Sequence, residues 1–168
     1  MAAMRGPRTV RVIVLCFALA LGLAAGACGG GEFDDYRKRT RKSEAQIQLN
    51  KLGKAAIVEY NVNARFPTET APLTPAADCC AENFEGKRKC GPTPANWSTP
   101  AWRALDFELS APHFFRYSYT PSADGTSFTA TAVGDLDCDG VAITYTLNGS
   151  VESGTPKLKL TDPPPNSD

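Results

Sequence analysis

Apolar and polar residues alternate with a helical period in the first half of the chain. Between Asp34 and about Asn63 there is no proline, and the first turn carries two aspartates, which interact favourably with a helix dipole. Apolar residues recur there at spacings of four, three, four and four: Ala45, Leu49, Leu52, Ala56 and Tyr60. This spacing predicts a helix of roughly thirty residues with one face toward a core.

The same helix carries a second apolar side. Ile47, Val58 and Val62 fall nearly opposite the first stripe. Either the loop from Arg65 to Thr99 or a partner protein would then pack on these residues. The loop is the preferred interpretation, because large apolar patches are unusual on the surface of a monomer.

After the helix the period changes to two. Three stretches alternate apolar with polar residues. Their apolar positions are Phe115, Tyr117 and Tyr119 in the first, Phe128, Ala130 and Ala132 in the second, and Val141, Ile143, Tyr145 and Leu147 in the third. Turns at Ser122–Gly125 and Asp137–Gly140 separate them, and Lys157–Leu160 predicts a fourth strand at the edge. The predicted fold class is therefore α+β, a long N-terminal helix on a three- to four-stranded antiparallel sheet.

The cysteines connect this sheet to the segment that precedes it. Residues 64–100 are rich in proline and predict a loop, followed by a short helix that starts near Ser98-Thr99-Pro100. Four cysteines lie beyond the leader: Cys79, Cys80, Cys90 and Cys138. In an oxidising compartment they predict two disulfides, either 79–90 with 80–138 or 80–90 with 79–138, because a bond between neighbours would be strained.

The start of the chain is typical of an export signal. Arg5, Arg8 and Arg11 precede the apolar run Val12–Ala27. These sixteen residues would span about 24 Å as a helix, less than the roughly 30 Å of a bilayer core. A signal peptide is therefore favoured over a permanent membrane helix, and it agrees with the disulfide prediction.

Small residues lead directly into Cys28, in the order Leu23-Ala24-Ala25-Gly26-Ala27-Cys28, and three glycines follow. This order resembles the lipobox of bacterial lipoproteins, with Ala25 where leucine is usual. The resemblance implies cleavage before Cys28 and acylation of its sulfur, so that 1–27 is a signal peptide and 28–32 a lipid anchor with a glycine linker. The alternative is an ordinary secretory signal cut near Ala27.

Charge and histidine content exclude several functions. Without Arg5, Arg8 and Arg11, 18 − 3 = 15 basic residues stand against 18 acidic ones, so no basic surplus for nucleic acid exists. The single histidine, His113, excludes a multi-histidine metal site and is more typical of a strand end than of a catalytic base. Since no nucleophile, zinc or phosphate-binding motif occurs either, we predict that the protein is not an enzyme.

One group of residues has the spacing of a cation site. Asp135, Asp137 and Asp139, followed by Gly140, match the first, third, fifth and sixth positions of a calcium-binding loop. The twelfth position is Thr146 instead of glutamate, which excludes a complete EF-hand. A possible Ca²⁺ site and a simple polar turn both remain open.

The order of the elements and several short sequences resemble the headpiece of type IV pilins and pseudopilins. These sequences are Phe33-Asp34-Asp35-Tyr36, Trp102-Arg103-Ala104-Leu105-Asp106-Phe107, Phe115-Arg116-Tyr117-Ser118-Tyr119 and Gly134-Asp135-Leu136-Asp137-Cys138-Asp139-Gly140. The resemblance covers roughly residues 33–150 and implies a pilin-like roll, with residues 33–160 as the domain. The proline run Pro163-Pro164-Pro165 predicts a disordered tail over 161–168. The resemblance also implies contacts with pilus or secretion-system proteins.

The start of the helix departs from that family. Pilins keep an apolar first half of the helix after a Gly-Phe cleavage site, whereas here Gly31-Glu32-Phe33 leads into two aspartates and the basic run Arg37–Lys42. Such charges would be costly to bury in a membrane or a filament axis. We therefore expect an exported, lipid-anchored, pilin-like interaction module of the cell envelope. The alternatives are a calcium-dependent binding lipoprotein and a minor pilin that keeps its leader as a membrane helix.

Overall fold

The computed structural model describes residues 30–165 and 167, and their side chains from Tyr36 onward. The residues from Arg37 onward form one compact unit, and the helical residues Gly30–Tyr36 belong to another. The predicted signal peptide, 1–27, and Cys28 lie outside the described residues. Within those residues, no helix has the length and hydropathy that a membrane span requires.

Helix α1 runs from Gly30 to Asn63, 34 residues in all. It begins four residues before the predicted start at Asp34, so that Gly30–Glu32 of the predicted linker is helical. A helix already formed gains one hydrogen bond for each residue it adds, which offsets the low helix propensity of glycine. The predicted stripe is confirmed, because Ala45, Leu49, Leu52 and Ala56 are fully buried and Tyr60 packs against the same core.

A five-stranded antiparallel sheet provides the other layer of the α+β fold. Its strands follow one another in sequence order: β1 Ala71–Thr74, β2 Arg116–Pro121, β3 Ser127–Gly134, β4 Ile143–Glu152 and β5 Thr155–Thr161. The fold class is confirmed, whereas the prediction of three to four strands was too low. The additional strand is β1, in the segment predicted to be a loop.

Strand β1 escaped prediction because it is short and contains a proline. It pairs with β2 through Ala71 and Thr74, and as an edge strand it tolerates Pro72. A buried hydrogen bond also holds it, since Trp102 Nε1 donates to Thr74 Oγ1 over 3.1 Å.

The alternating residues of β2, β3 and β4 face the core as predicted. Phe115, Tyr117, Tyr119, Phe128, Ala130, Ala132, Ile143, Tyr145 and Leu147 are all buried. Val141 is the exception: it lies before β4 and is 61% exposed. After the turn at Asp137–Gly140 the strand begins only at Ile143. Val141 therefore lies outside the strand, and its side chain does not follow the predicted alternation.

Glycines allow the layers to approach closely. A Cβ atom on Gly53 of α1 would lie 2.8 Å from side-chain atoms of both Leu147 and Leu158. A Cβ atom on Gly149 of β4 would lie 2.0 Å from the ring of Phe128. Gly53 is therefore a contact point between helix and sheet as well as a weak helix former.

Short elements fill the chain between β1 and β2. They are α2 Cys79–Glu82, 3₁₀ turns at Phe84–Gly86 and Pro94–Trp97, and α3 Pro100–Ala104, the last near its predicted start. Trp97 and Trp102 from this segment lie in the same core as the buried stripe of α1.

The segment does not cover the second apolar side of α1. Ile47, Val58 and Val62 are 62%, 60% and 75% exposed. The interpretation that the 65–99 loop covers them was therefore wrong. The large side chains of the loop, such as Trp97, point into the helix–sheet core and leave this side uncovered.

The segment predicted to be a disordered tail, 161–168, begins with the last residue of β5. Two side chains of α1 contact it: Gln46 Nε2 donates to Asp162 Oδ1 over 2.8 Å, and Lys42 Nζ donates to the Ser167 carbonyl over 2.8 Å. Its described residues thus lie against α1.

The two sides of α1 should differ in their contribution to stability. Leu49→Ala should lower the free energy of unfolding by about 2–5 kcal/mol, because it opens a cavity in the core. Ile47→Ala, on the exposed side of the same helix, should change it by about 0.5 kcal/mol or less. Urea unfolding of both variants tests this, and equal losses would contradict the assignment of the buried face.

Candidate functional site

The three aspartates of the predicted cation site come together. The aspartate loop, residues 135–140, joins β3 to the turn before β4, and its three carboxylates each place one oxygen within 4.8 Å of the others. Asp135 and Asp137 are partly buried and Asp139 is exposed. The loop could therefore present a cluster of hard oxygen ligands of the kind that calcium prefers.

The backbone of the loop already uses several of these oxygens. Asp135 Oδ1 accepts from the Cys138 amide over 2.6 Å, and its Oδ2 accepts from the Gly140 amide over 2.9 Å. Asp139 Oδ1 accepts from the Val141 amide over 2.8 Å. These bonds are typical of aspartate-rich turns, which agrees with the polar-turn alternative.

Basic side chains also surround the loop. Lys38 Nζ lies 3.1 Å from Asp137 Oδ2, and Arg88 Nη1 donates to the Asp137 carbonyl over 3.0 Å. Arg41 donates to the Leu136 carbonyl, and its guanidinium lies 4.7 Å from the centre of the Phe114 ring. Mutual repulsion of the carboxylates is thus reduced by cations of the protein itself. Two of the five predicted basic residues of the helix start, Lys38 and Arg41, serve this purpose.

One of the two disulfides ends on this loop, and the other starts at the neighbouring cysteine of α2. The pairing is Cys79–Cys90 with Cys80–Cys138, one of the two connectivities that the sequence left open. The second bond attaches α2 directly to the aspartate loop. Sequence could not choose between the pairings, since adjacent cysteines can exchange partners with little change in loop length.

The sequence alone assigned no role to Glu44, whose side chain is partly buried between α1 and the sheet. Its Oε1 accepts from the amides of Phe114 over 2.9 Å and Phe115 over 3.2 Å. Burial raises its pKa to about 6, although these two amides, the charge of Lys89 and the Tyr117 hydroxyl act to lower it. The only sequence signal was its position next to Ala45, at the border of the buried stripe.

His113 is a buried titratable residue near the start of β2. It forms an isolated β-bridge with Cys90, and its Nδ1 lies 3.1 Å from the Ala111 carbonyl. Because a carbonyl can only accept, Nδ1 carries the hydrogen and Nε2 is an acceptor. Burial lowers the pKa of His113, which favours the neutral ring. The histidine thus lies just before β2, near the strand end that the sequence predicted.

Glu44 and His113 line a common cavity of about 290 Å³. Residues 44–51 of α1 form one wall and residues 108–113 form the other. Ile47, from the uncovered side of α1, stands at this cavity as well.

No protein-family model, curated protein or solved structure matches the chain.

The buried carboxyl of Glu44 should make stability depend on pH. Its pKa is higher in the folded chain than the ordinary value of 4.5, so the folded state binds the proton more tightly. The free energy of unfolding should therefore gain about 2 kcal/mol from this group as the pH falls from about 7.5 to 4.5. Glu44→Gln keeps an oxygen for both amides and should remove this gain. Unfolding of both proteins across this pH range measures the difference, and parallel curves would contradict the prediction.

The two disulfides should contribute unequally. Chain entropy assigns about 3 kcal/mol to Cys79–Cys90 and about 4 kcal/mol to Cys80–Cys138, because the second closes the longer loop. Replacing each pair by serine and measuring urea unfolding tests this order. Equal losses, or a larger loss for the Cys79–Cys90 pair, would show that the loop-closure argument does not apply here.

Proposed function

We propose that this protein is an exported, lipid-anchored interaction module with a pilin-like headpiece, which contacts other proteins of the cell envelope and catalyses no reaction. Pilus or secretion-system subunits are the partners that the sequence resemblance suggests. The observation that carries the proposal is the uncovered apolar side of α1, which the rest of the described fold leaves exposed.

The arrangement of layers supports the pilin-like part. A long helix covers one apolar face of an antiparallel meander, and a segment held by two disulfides lies between β1 and β2. Disulfides are typical of exported proteins, which agrees with the lipobox-like sequence before Cys28.

The uncovered side supports an interaction role. Among the described residues, five large apolar side chains are strongly exposed, and Ile47, Val58 and Val62 are three of them. They lie along one side of a single helix that is anchored to the sheet from behind. A rigid helix presenting apolar residues is a common form of protein recognition.

The polar start of the helix supports a lipid anchor over a membrane helix. Asp34 and Asp35 follow Cys28 closely in sequence, and Arg37 and Arg39 are exposed beyond them. Exposed cations near an acylated cysteine would be attracted to anionic headgroups, by about 1 kcal/mol for each charge.

Metabolic labelling tests the anchor. In cells that express the full chain, labelled palmitate should reach the protein, and Cys28→Ser should abolish labelling and release it from the membrane. Cys16→Ser, within the leader, is the matched control and should label normally. An intact leader in the mature, unlabelled protein would overturn the proposal in favour of a minor pilin with a membrane helix.

Copurification tests the partner. Anchored protein purified from native membranes should bring pilus or secretion-system subunits with it, and the double variant Ile47→Asp, Val58→Asp should recover at least tenfold less of them. Glu152→Lys, on the far side of the sheet, is the surface-charge control. Recovery of those subunits without any effect of the double variant would exclude the helix side as the contact.

A calcium-dependent binding lipoprotein is the second candidate, favoured by the convergence of the three carboxylates within 4.8 Å. If calcium binds, titration calorimetry should show heat that Asp139→Asn reduces and that Lys38→Met increases, because Lys38 competes for Asp137. Absence of heat and of any change in melting temperature on adding calcium or EDTA would leave the aspartate loop as a polar turn.

A further inference from the structure

Two side chains that line the cavity between α1 and residues 108–113 carry acceptor atoms that the fold leaves unsatisfied. Gln48 Oε1 and His113 Nε2 are buried, and neither has a hydrogen-bond partner among the described residues. Both side chains line the cavity together with Glu44. A buried acceptor without a donor costs free energy, so one on each wall of the same cavity calls for an explanation.

Glu44 adds a charge to these acceptors. Both of its backbone hydrogen bonds end on Oε1, and within the described residues no lysine or arginine nitrogen forms an ion pair with it. At neutral pH its carboxyl is largely ionised although burial opposes the charge. A buried carboxylate is stabilised most by a cation that also donates hydrogen bonds.

Apolar atoms complete the cavity. Ile47, Leu109, Ala111 and Pro112 line it next to the polar groups, and Glu108 and Lys51 also line it. Its volume of about 290 Å³ lies at the lower end for ligand sites, which hold roughly 300–1,000 Å³. A small group with an apolar stem and a charged, donating end therefore matches both the size and the lining.

We propose that this cavity binds a primary ammonium or guanidinium group on a short apolar stem, with Glu44, Gln48 and His113 as its hydrogen-bond acceptors. The group has two possible sources, a free small amine or a lysine or arginine side chain of a partner protein. The site is separate from the aspartate loop and does not require the lipid anchor.

The charged groups around Glu44 define how binding should depend on pH. Lys89, from the segment between β1 and β2, and the Tyr117 hydroxyl of β2 act on Glu44. Glu82 and Lys89 act on His113, and Lys51 and Glu108 line the cavity. Lys89 Nζ lies 4.5 Å from the centre of the Phe114 ring, and Lys51 Nζ lies 3.2 Å from the Glu108 carbonyl. Because the bound cation favours ionised Glu44, affinity should fall as Glu44 and His113 take up protons.

Titration of the purified chain with n-butylammonium at pH 7.5 tests the proposal, with butanol as the uncharged analogue. We expect butylammonium to bind, butanol not to bind, and binding to weaken by about tenfold or more at pH 4.5. Glu44→Gln should also weaken it by about tenfold or more, and Gln48→Leu should weaken it independently of any effect on Glu44. Glu59→Gln, a partly exposed position on the same helix that does not line this cavity, should leave it unchanged.

Amide chemical shifts show where butylammonium binds and whether each variant is folded. On addition of butylammonium, the amide shifts of residues 44–48 and 108–115 should change, and all other shifts should remain those of the folded protein.

A tripeptide with a central lysine and blocked ends separates the two sources. Tighter binding than that of butylammonium indicates a protein side chain, and weaker binding indicates a free amine. No binding at millimolar butylammonium, or equal binding by Glu44→Gln, would overturn the proposal. The cavity would then be a water-filled cleft and not a ligand site.

Discussion

The rest of the structure depends on the contact between one side of helix α1 and the inner face of the sheet. Four residues without exposed surface, Ala45, Leu49, Leu52 and Ala56, form this contact, and Gly53 lets Leu147 and Leu158 approach the helix backbone. Glu44 adds a polar link, because its carboxyl holds the amides of Phe114 and Phe115 at the entry to β2. Apolar burial supplies most of the stabilisation, and the carboxyl adds two hydrogen bonds between the helix and the start of β2.

This one-sided attachment determines what the helix can offer to other molecules. Since the stripe is committed to the core, Ile47, Val58 and Val62 must face outward, and the disulfide-linked segment does not reach them. Lys38 and Arg41 extend the attachment by bonding to the aspartate loop, which in turn is tied to α2 by Cys80–Cys138. A rigid helix with an open side fits a recognition role better than a catalytic one, and that is the basis of the function proposed above.

The elements that sequence could predict are those with a repeating pattern. The stripe of α1 and the alternation in β2, β3 and β4 are strong because each repeats over several turns or residue pairs. Strand β1 lacks such a repeat, and its pairing partner lies more than 40 residues away. Glu44 could not be found, since a carboxylate at the border of an apolar stripe is normally solvated, and only the fold brings two free amides to it. The spacing of Asp135, Asp137 and Asp139 did predict their convergence, whereas the basic residues around them come from distant parts of the chain.

Hydrogen exchange measures most directly whether helix and sheet form one cooperative unit joined at Glu44. In the native protein, the amides of Phe114 and Phe115 should exchange only through global unfolding, with the same opening free energy as amides of α1 near Leu52. Both values should fall with the same slope as the urea concentration increases. Rapid exchange of the Phe114 and Phe115 amides while α1 stays protected would contradict this prediction.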